Sequence, residues 1–166
     1  MGSDGYDYIG SIRMAGALES EDVEMFELSY GWAEITALSY WPDSGGAGQW
    51  RGGLGSYAEM VLLGENMTLA AFGTGRDRGA YGLFGGHESP TGRLLLSYPD
   101  GTEEDVPAMA SIRDIPPGTT LRKWNTGGGG HGDPALRSSK HVDRDVREGY
   151  VSLEQAQEVY GYQDSN

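Results

Sequence analysis

The chain holds three histidines, His87, His131 and His141, and no cysteine. His131 and Asp133 stand two positions apart, so an extended backbone would turn both side chains to one side. With His87 they form a candidate metal group, but the spacing matches no ligand pattern of the zinc kind, and thiolate ligands are excluded. The serines lie in no Gly-x-Ser-x-Gly elbow. The 25 Asp and Glu residues offer no pair singled out for acid–base work, and no regular Asp-x-Asp-x-Asp-Gly calcium loop is present. Glycine-rich loops can cradle phosphate. Here there is no Gly-x-x-x-x-Gly-Lys-[Ser/Thr], and Gly46-x-Gly48 and Gly73-x-Gly75 lack a third glycine at the dinucleotide spacing. Gly127, Gly128, Gly129 and Gly130 fit structural or interface packing better than an anion cradle. Arg51, Arg76 and Arg78 lie in glycine-rich loops, where each can meet an anion or a carboxylate. The residues thus mark out no catalytic group, no cofactor-binding group and no metal ligand.

Behind these residues stands an unusual composition. Glycine supplies 28 of 166 residues, against roughly 7% in an average protein. The apolar share is 37%, yet ten Tyr and four Trp provide large side chains to bury. The formal charge of −13 argues against nucleic acid and against anionic membrane surfaces as partners. No apolar run approaches the length of a membrane span, and the first residues do not read as a signal peptide; a cytoplasmic protein is expected. A glycine-rich chain loses much conformational entropy on folding. With few apolar residues and no disulfide, such a chain is expected to lean on a partner.

The chain reads as a single module over 1–166, mainly β and antiparallel, with two short C-terminal helices. Residues 1–18 read as an irregular arm. Residues 20–30 read as a short helix capped by Ser20, with Val23, Phe26 and Tyr30 on one face. Strands are expected at 35–40, 57–63, 67–72, 93–98 and 119–124. Gly64-Glu65-Asn66 predicts a hairpin between the second and third. Pro99-Asp100-Gly101 and Pro116-Pro117-Gly118 read as turns. Residues 133–161 form a helical tail. Asp133-Pro134 starts its first helix, Gly149 ends it, and a second helix runs from the Ser152 capping box to Gly161.

Fourteen of the 28 glycines fall between residues 45 and 92. Gly46, Gly52 and Gly55 keep a three-residue spacing broken at Gln49. Gly73, Gly79, Gly82 and Gly85 keep it with a break at Arg76. A three-residue repeat suits polyproline II-like segments packed backbone to backbone, where no Cβ intervenes. The alternative is that each glycine marks a turn or bulge.

Three segments carry a family resemblance. The run from Pro42 to Gly55, with Asp43, Gly45, Gly46, Gly48, Arg51, Gly52, Gly53 and Gly55, resembles a signature of the hydantoinase B/oxoprolinase family. Asn125–Pro134, with its four glycines, His131, Asp133 and Pro134, is similar to the family's second glycine-rich motif. Asp143–Ser152 and the Tyr160-Gly161 pair are similar to its C-terminal tail. At His131 the family commonly has Tyr or Trp.

This resemblance implies a module equivalent to the C-terminal part of a B-type component, with barrel-like sheets and polyproline II-like segments. Within the family it is most like the small subunit of ATP-dependent aromatic ketone carboxylases. It implies a non-catalytic or structural subunit of a complex that joins bicarbonate to an acetophenone-like ketone, giving a β-keto acid. An ATP-dependent hydantoinase, oxoprolinase or lactamase is the alternative. ATP with a divalent metal is expected on partner subunits, which would be an A-type ATP-binding subunit and a larger B-type subunit. From the residues alone, a free-standing acidic β-domain that binds a protein partner is a further alternative.

Overall fold

A computed structural model describes residues 2–5 and 23–163. Helix α1 spans Val23–Tyr30; the Ser20 cap expected for it lies outside the described residues. Strand β1 (Ala33–Trp41) follows, then β2 (Gly55–Leu62), β3 (Met67–Phe72), β4 (Arg93–Ser97), β5 (Glu103–Asp105), β6 (Met109–Ile115) and β7 (Thr119–Trp124). Five strands form an antiparallel sheet in the order β1-β2-β7-β4-β5, and β3 pairs with β6 in a separate ribbon. The sheet is open, with β1 and β5 at its edges.

The core lies where the ribbon packs on the sheet. Met60, Leu62, Leu96, Val106, Ile115 and Leu121 are buried there, with Met67, Leu69, Ala71 and Ile112 of the ribbon against them. Period-two alternation produces this face: Ala58, Met60 and Leu62 of β2 point inward while Tyr57, Glu59 and Val61 are only partly covered. An apolar cleft of about 370 Å³ remains between sheet and ribbon.

The hairpin expected at Gly64-Glu65-Asn66 does not form. Strand β2 already has β1 on one edge and β7 on the other, so β3 has no free edge to join. Asn66, at φ 52°, turns the chain away to the ribbon instead. The two proline turns hold: Gly101 and Gly118 take φ of 87° and 86°, a region glycine enters without a Cβ clash. Strands β5 and β6 had no counterpart in the sequence reading.

The tail also differs in one respect. Asp133 caps a 3₁₀ turn at Pro134–Leu136, its Oδ1 accepting from the Ala135 N–H at 2.9 Å. The helix does not continue from there. Arg137 is extended (φ −68°, ψ 130°), and Ser138 caps a fresh helix α2 over Ser139–Arg147. The break lets the Arg137 side chain turn inward, as described below. Helix α3 spans Leu153–Tyr160, begins at the Ser152 cap and ends at Gly161 in the left-handed region. Val142, Val151 and Ala156 close a small second core.

Candidate functional site

The glycine-rich segments come together as one bundle of extended backbone. Gly127–Gly130 runs through its centre. The Gly128 N–H donates to the Gly53 carbonyl at 2.8 Å, and the Gly128 carbonyl accepts from Gly46 N–H at 2.8 Å. Two residues on, the Gly130 N–H donates to His87 O and its carbonyl accepts from Leu83 N–H, both at 2.9 Å. Gly128 is therefore bonded twice to the 44–55 pass of the chain and Gly130 twice to the 79–89 pass. His87 N–H to Ala47 O at 2.7 Å ties those outer passes to each other.

Side chains cannot fit at these contacts. A Cβ on Gly52 would strike the Gly128 carbonyl, one on Gly129 the Tyr81 carbonyl, and one on Gly130 the Ala47 carbonyl. Gly45, Gly46, Gly48, Gly55, Gly79, Gly82, Gly86 and Gly127 meet backbone in the same way. None of these has a positive φ, so what each supplies is the missing Cβ and not a special turn angle. The three-residue spacing thus holds in part. Gly46, Gly52 and Gly55, then Gly79 and Gly82, are close contacts. Gly73 has open space around it, and Gly85 sits at φ 93° with no atom nearer than 3.6 Å to its virtual Cβ. Gly85 serves a turn.

Serine hydroxyls finish the layer. Ser44, fully buried, donates to the Trp41 carbonyl at 2.5 Å and accepts from the Gly55 N–H at 2.7 Å. Ser89 accepts from Ala80 N–H at 2.8 Å and shares a hydrogen bond with Thr126 at 2.7 Å. Thr126 gives its proton to the Pro90 carbonyl at 2.7 Å, which makes Ser89 the donor between them.

Against one side of the bundle lies a cluster of charges. Arg51, 1% exposed, places Nε 3.4 Å from Asp145 and donates through Nη1 to Gly52 O at 2.7 Å. Its guanidinium lies 5.5 Å from the Tyr150 ring centre. Arg137 reaches Asp145 at 2.5 Å and grips Asp4 with two bonds of 2.7 and 3.0 Å. Arg144 joins both carboxylates, at 2.8 Å to Asp4 and 3.1 Å to Asp145. The Arg51 N–H completes Asp4 at 3.0 Å. Burial would raise the Asp4 pKa, but the Arg137 hydrogen bonds and charge, with Arg51 N–H and Arg144, outweigh it and hold the carboxyl at about 2. This cluster fastens the 2–5 arm, the first glycine motif and the tail to one another. Asp43, at φ 62°, makes a second link: its N–H donates to Tyr150 O and its Oδ1 accepts from Ser152 N–H at 2.7 Å.

Of the residues singled out in the sequence, Arg51 is in this cluster, Arg76 pairs with Asp105 on β5, and Arg78 is exposed. His87 and His131 take part in the bundle through their backbones, and both are exposed. Asp133 is occupied as a cap. Among the described residues, no group of three or more His, Asp or Glu stands where it could hold a metal ion. Asp4, Arg137, Arg144 and Asp145 were missed. A signal was present: on α2, Asp145 falls three residues after Val142, on the face that the valine buries. A cleft of about 600 Å³ opens beside the bundle, lined by Trp50, Gly53, Lys123, Asn125 and His131 among others. Desolvation in its wall lowers the Lys123 pKa.

The two glycine motifs joined at the bundle match a known family pattern. The hydantoinase B/oxoprolinase family model covers residues 1–134. The chain belongs to the hydantoinase B/oxoprolinase family. It is 40% identical over 162 residues to caprolactamase subunit beta of Pseudomonas jessenii, covering 95% of this chain and 28% of that one. The crystal structure of the ATP-dependent caprolactamase from Pseudomonas jessenii superposes with a TM-score of 0.72 at 35% identity, over 89% of this chain and 26% of that chain. The nucleotide-free structure of acetone carboxylase has the same fold, with a TM-score of 0.70 at 23% identity over 96% of this chain and 25% of that one. The chain thus spans about a quarter of the length of these relatives. No helix among the described residues is long and apolar enough to cross a membrane.

Proposed function

We propose that this chain is a structural subunit of an ATP-dependent complex of the lactamase and carboxylase kind, corresponding to the C-terminal part of a B-type component. One observation carries the structural role. The polar groups that the fold gathers are spent on each other: Arg51, Arg137 and Arg144 on Asp4 and Asp145, and the glycine N–H groups on carbonyls of neighbouring passes. The bundle is a wall, and the reacting groups, ATP and its divalent metal belong to partner subunits. These are an A-type ATP-binding subunit and a larger B-type subunit, in the cytoplasm.

Two substrate classes suit such a complex. Opening of a cyclic amide is supported by the 40% identity to a caprolactamase subunit over nearly the whole chain. Carboxylation of an acetophenone-like ketone with bicarbonate is supported by the likeness of the acidic, aromatic-rich entry segment to that of the aromatic ketone carboxylases. Purification of the native complex through a tag on this chain, followed by ATP-turnover assays, separates them. Turnover with caprolactam and without bicarbonate supports the first reading; turnover that needs both acetophenone and bicarbonate supports the second. A stable monomer that co-purifies with no other subunit, and whose deletion leaves the activity intact, refutes the subunit role.

A further inference from the structure

The turn at Leu83–Gly86 breaks a local rule. The Gly86 N–H closes it onto the Leu83 carbonyl at 3.0 Å, and both central residues have positive φ, 53° at Phe84 and 93° at Gly85. A turn of this hand favours Asn, Asp or Gly at its first central position, because a Cβ there crowds the backbone. Here that position holds phenylalanine, and the side chain gains little cover in return: Phe84 is 81% exposed, and Tyr81, three residues earlier, is 78% exposed. The base beneath them is firmly bonded, Leu83 N–H to Gly130 O and Gly132 N–H to Leu83 O, both at 2.9 Å. The Phe84 ring stands edge-on to His131 with centres 5.2 Å apart. Backbone strain and exposed aromatic area are both unfavourable in the chain alone, and both occur together at sites that engage something else.

We propose that Tyr81 and Phe84 form a docking spur that inserts into an apolar recess of the larger B-type subunit. This rests on the subunit role proposed above. Two observations favour that occupant. The relatives carry this module inside chains about four times as long, and in the proposed complex the larger B-type subunit supplies that remaining length. The spur also lies near the arm from which the rest of such a chain would extend. A Cβ on Gly2 would strike the Trp50 indole, Trp50 pairs with His131, and His131 pairs with Leu83. Residues 79–86 carry no charge in a chain of net −13, so the recess is apolar and not a basic patch.

The test uses the native complex. A benzophenone amino acid placed at position 84 should cross-link, on illumination, to the larger B-type subunit, identified by mass. Phe84→Asn, which suits the turn, should leave the melting temperature of the isolated chain unchanged or higher and weaken its binding to that subunit at least tenfold. Tyr81→Ser should weaken binding without altering the turn. Cross-linking to a second copy of this chain, to the ATP-binding subunit or to nothing overturns the proposal. So does a Phe84→Asn chain that melts lower, or that binds within twofold of the parent. A complex that assembles but ignores Phe84→Asn removes the spur alone; a complex without any B-type subunit removes the subunit role as well.

Discussion

Arg137 and Asp4, 133 positions apart in the sequence, meet in a two-point ion pair, Nη1 to Oδ1 at 2.7 Å and Nη2 to Oδ2 at 3.0 Å. Arg137 can do this because the chain unwinds between the 3₁₀ turn and α2. Its other carboxylate partner, Asp145, is buried beneath it. The pair joins the 2–5 arm to the start of the helical tail around the glycine motif at Arg51.

This pair sets an acid limit. The Asp4 pKa is lowered from 3.8 to about 2 in the folded state. The carboxylate's contribution is therefore fully present above the unfolded value and is lost as pH falls from about 4 through 2. After allowance for solvent screening it is worth about 1 kcal/mol. Asp4→Asn should flatten the fall in melting temperature across that window, as followed by thermal denaturation at a series of pH values. An unchanged slope would show that Asp4 titrates alike in both states.

The two kinds of glycine should respond differently to alanine. Gly52→Ala or Gly130→Ala forces a methyl into a carbonyl and should cost about 3 kcal/mol or abolish folding. Gly73→Ala, in open space and without a positive φ, should be neutral or stabilise by about 0.5 kcal/mol. Urea denaturation of the three variants measures the contrast directly.

Gly85 separates the two causes further. Its virtual Cβ is free of clashes, so Gly85→Ala should cost only the left-handed backbone term, about 1–2 kcal/mol. Gly82→Ala, which meets the Gly86 carbonyl, should cost more. The reverse order in melting temperature would contradict the packing geometry.

Asp43 combines a left-handed backbone with an acceptor for Ser152 N–H. Asn tolerates that backbone and also accepts a hydrogen bond. Asp43→Asn should therefore lose less than about 1 kcal/mol, and Asp43→Ala about 2–3 kcal/mol. Amide hydrogen exchange at Ser152 and Gln155 in the tail should show faster opening in the alanine variant only.

His131 works through its main chain, bonded to Trp50 on both N–H and carbonyl at 3.0 Å. His131→Ala should change stability by less than about 0.5 kcal/mol and leave most of the activity of the assembled complex. Complete loss of turnover in an intact complex would assign the imidazole a role in the reaction.

Much of the sheet was legible because its signals are local. The limits of β3 and β7 follow from apolar alternation between glycine and proline turns. The ribbon was not legible, because β3 pairs with β6 while both edges of β2 are taken by β1 and β7; pairing depends on occupancy, which no window of sequence contains. Strand β5 is three acidic residues long, too short and too polar for a pattern. In the bundle, glycine spacing showed which positions lack a side chain. It did not separate Gly82, which a carbonyl crowds, from Gly85, which a turn angle requires. The Asp4 contact was invisible for a simpler reason: the glycine-dotted stretch of residues 1–18 shows no period to read.

The central glycine run has a thermal consequence. Its contacts are amide to amide, so unfolding it exposes mostly polar surface, and polar exposure lowers the heat capacity whereas apolar exposure raises it. The heat-capacity increment of unfolding should fall below the usual ~12–15 cal/mol/K per residue. The stability curve of this protein should accordingly be shallow, with less loss of stability on cooling than a core of the same size built from leucine and valine would show.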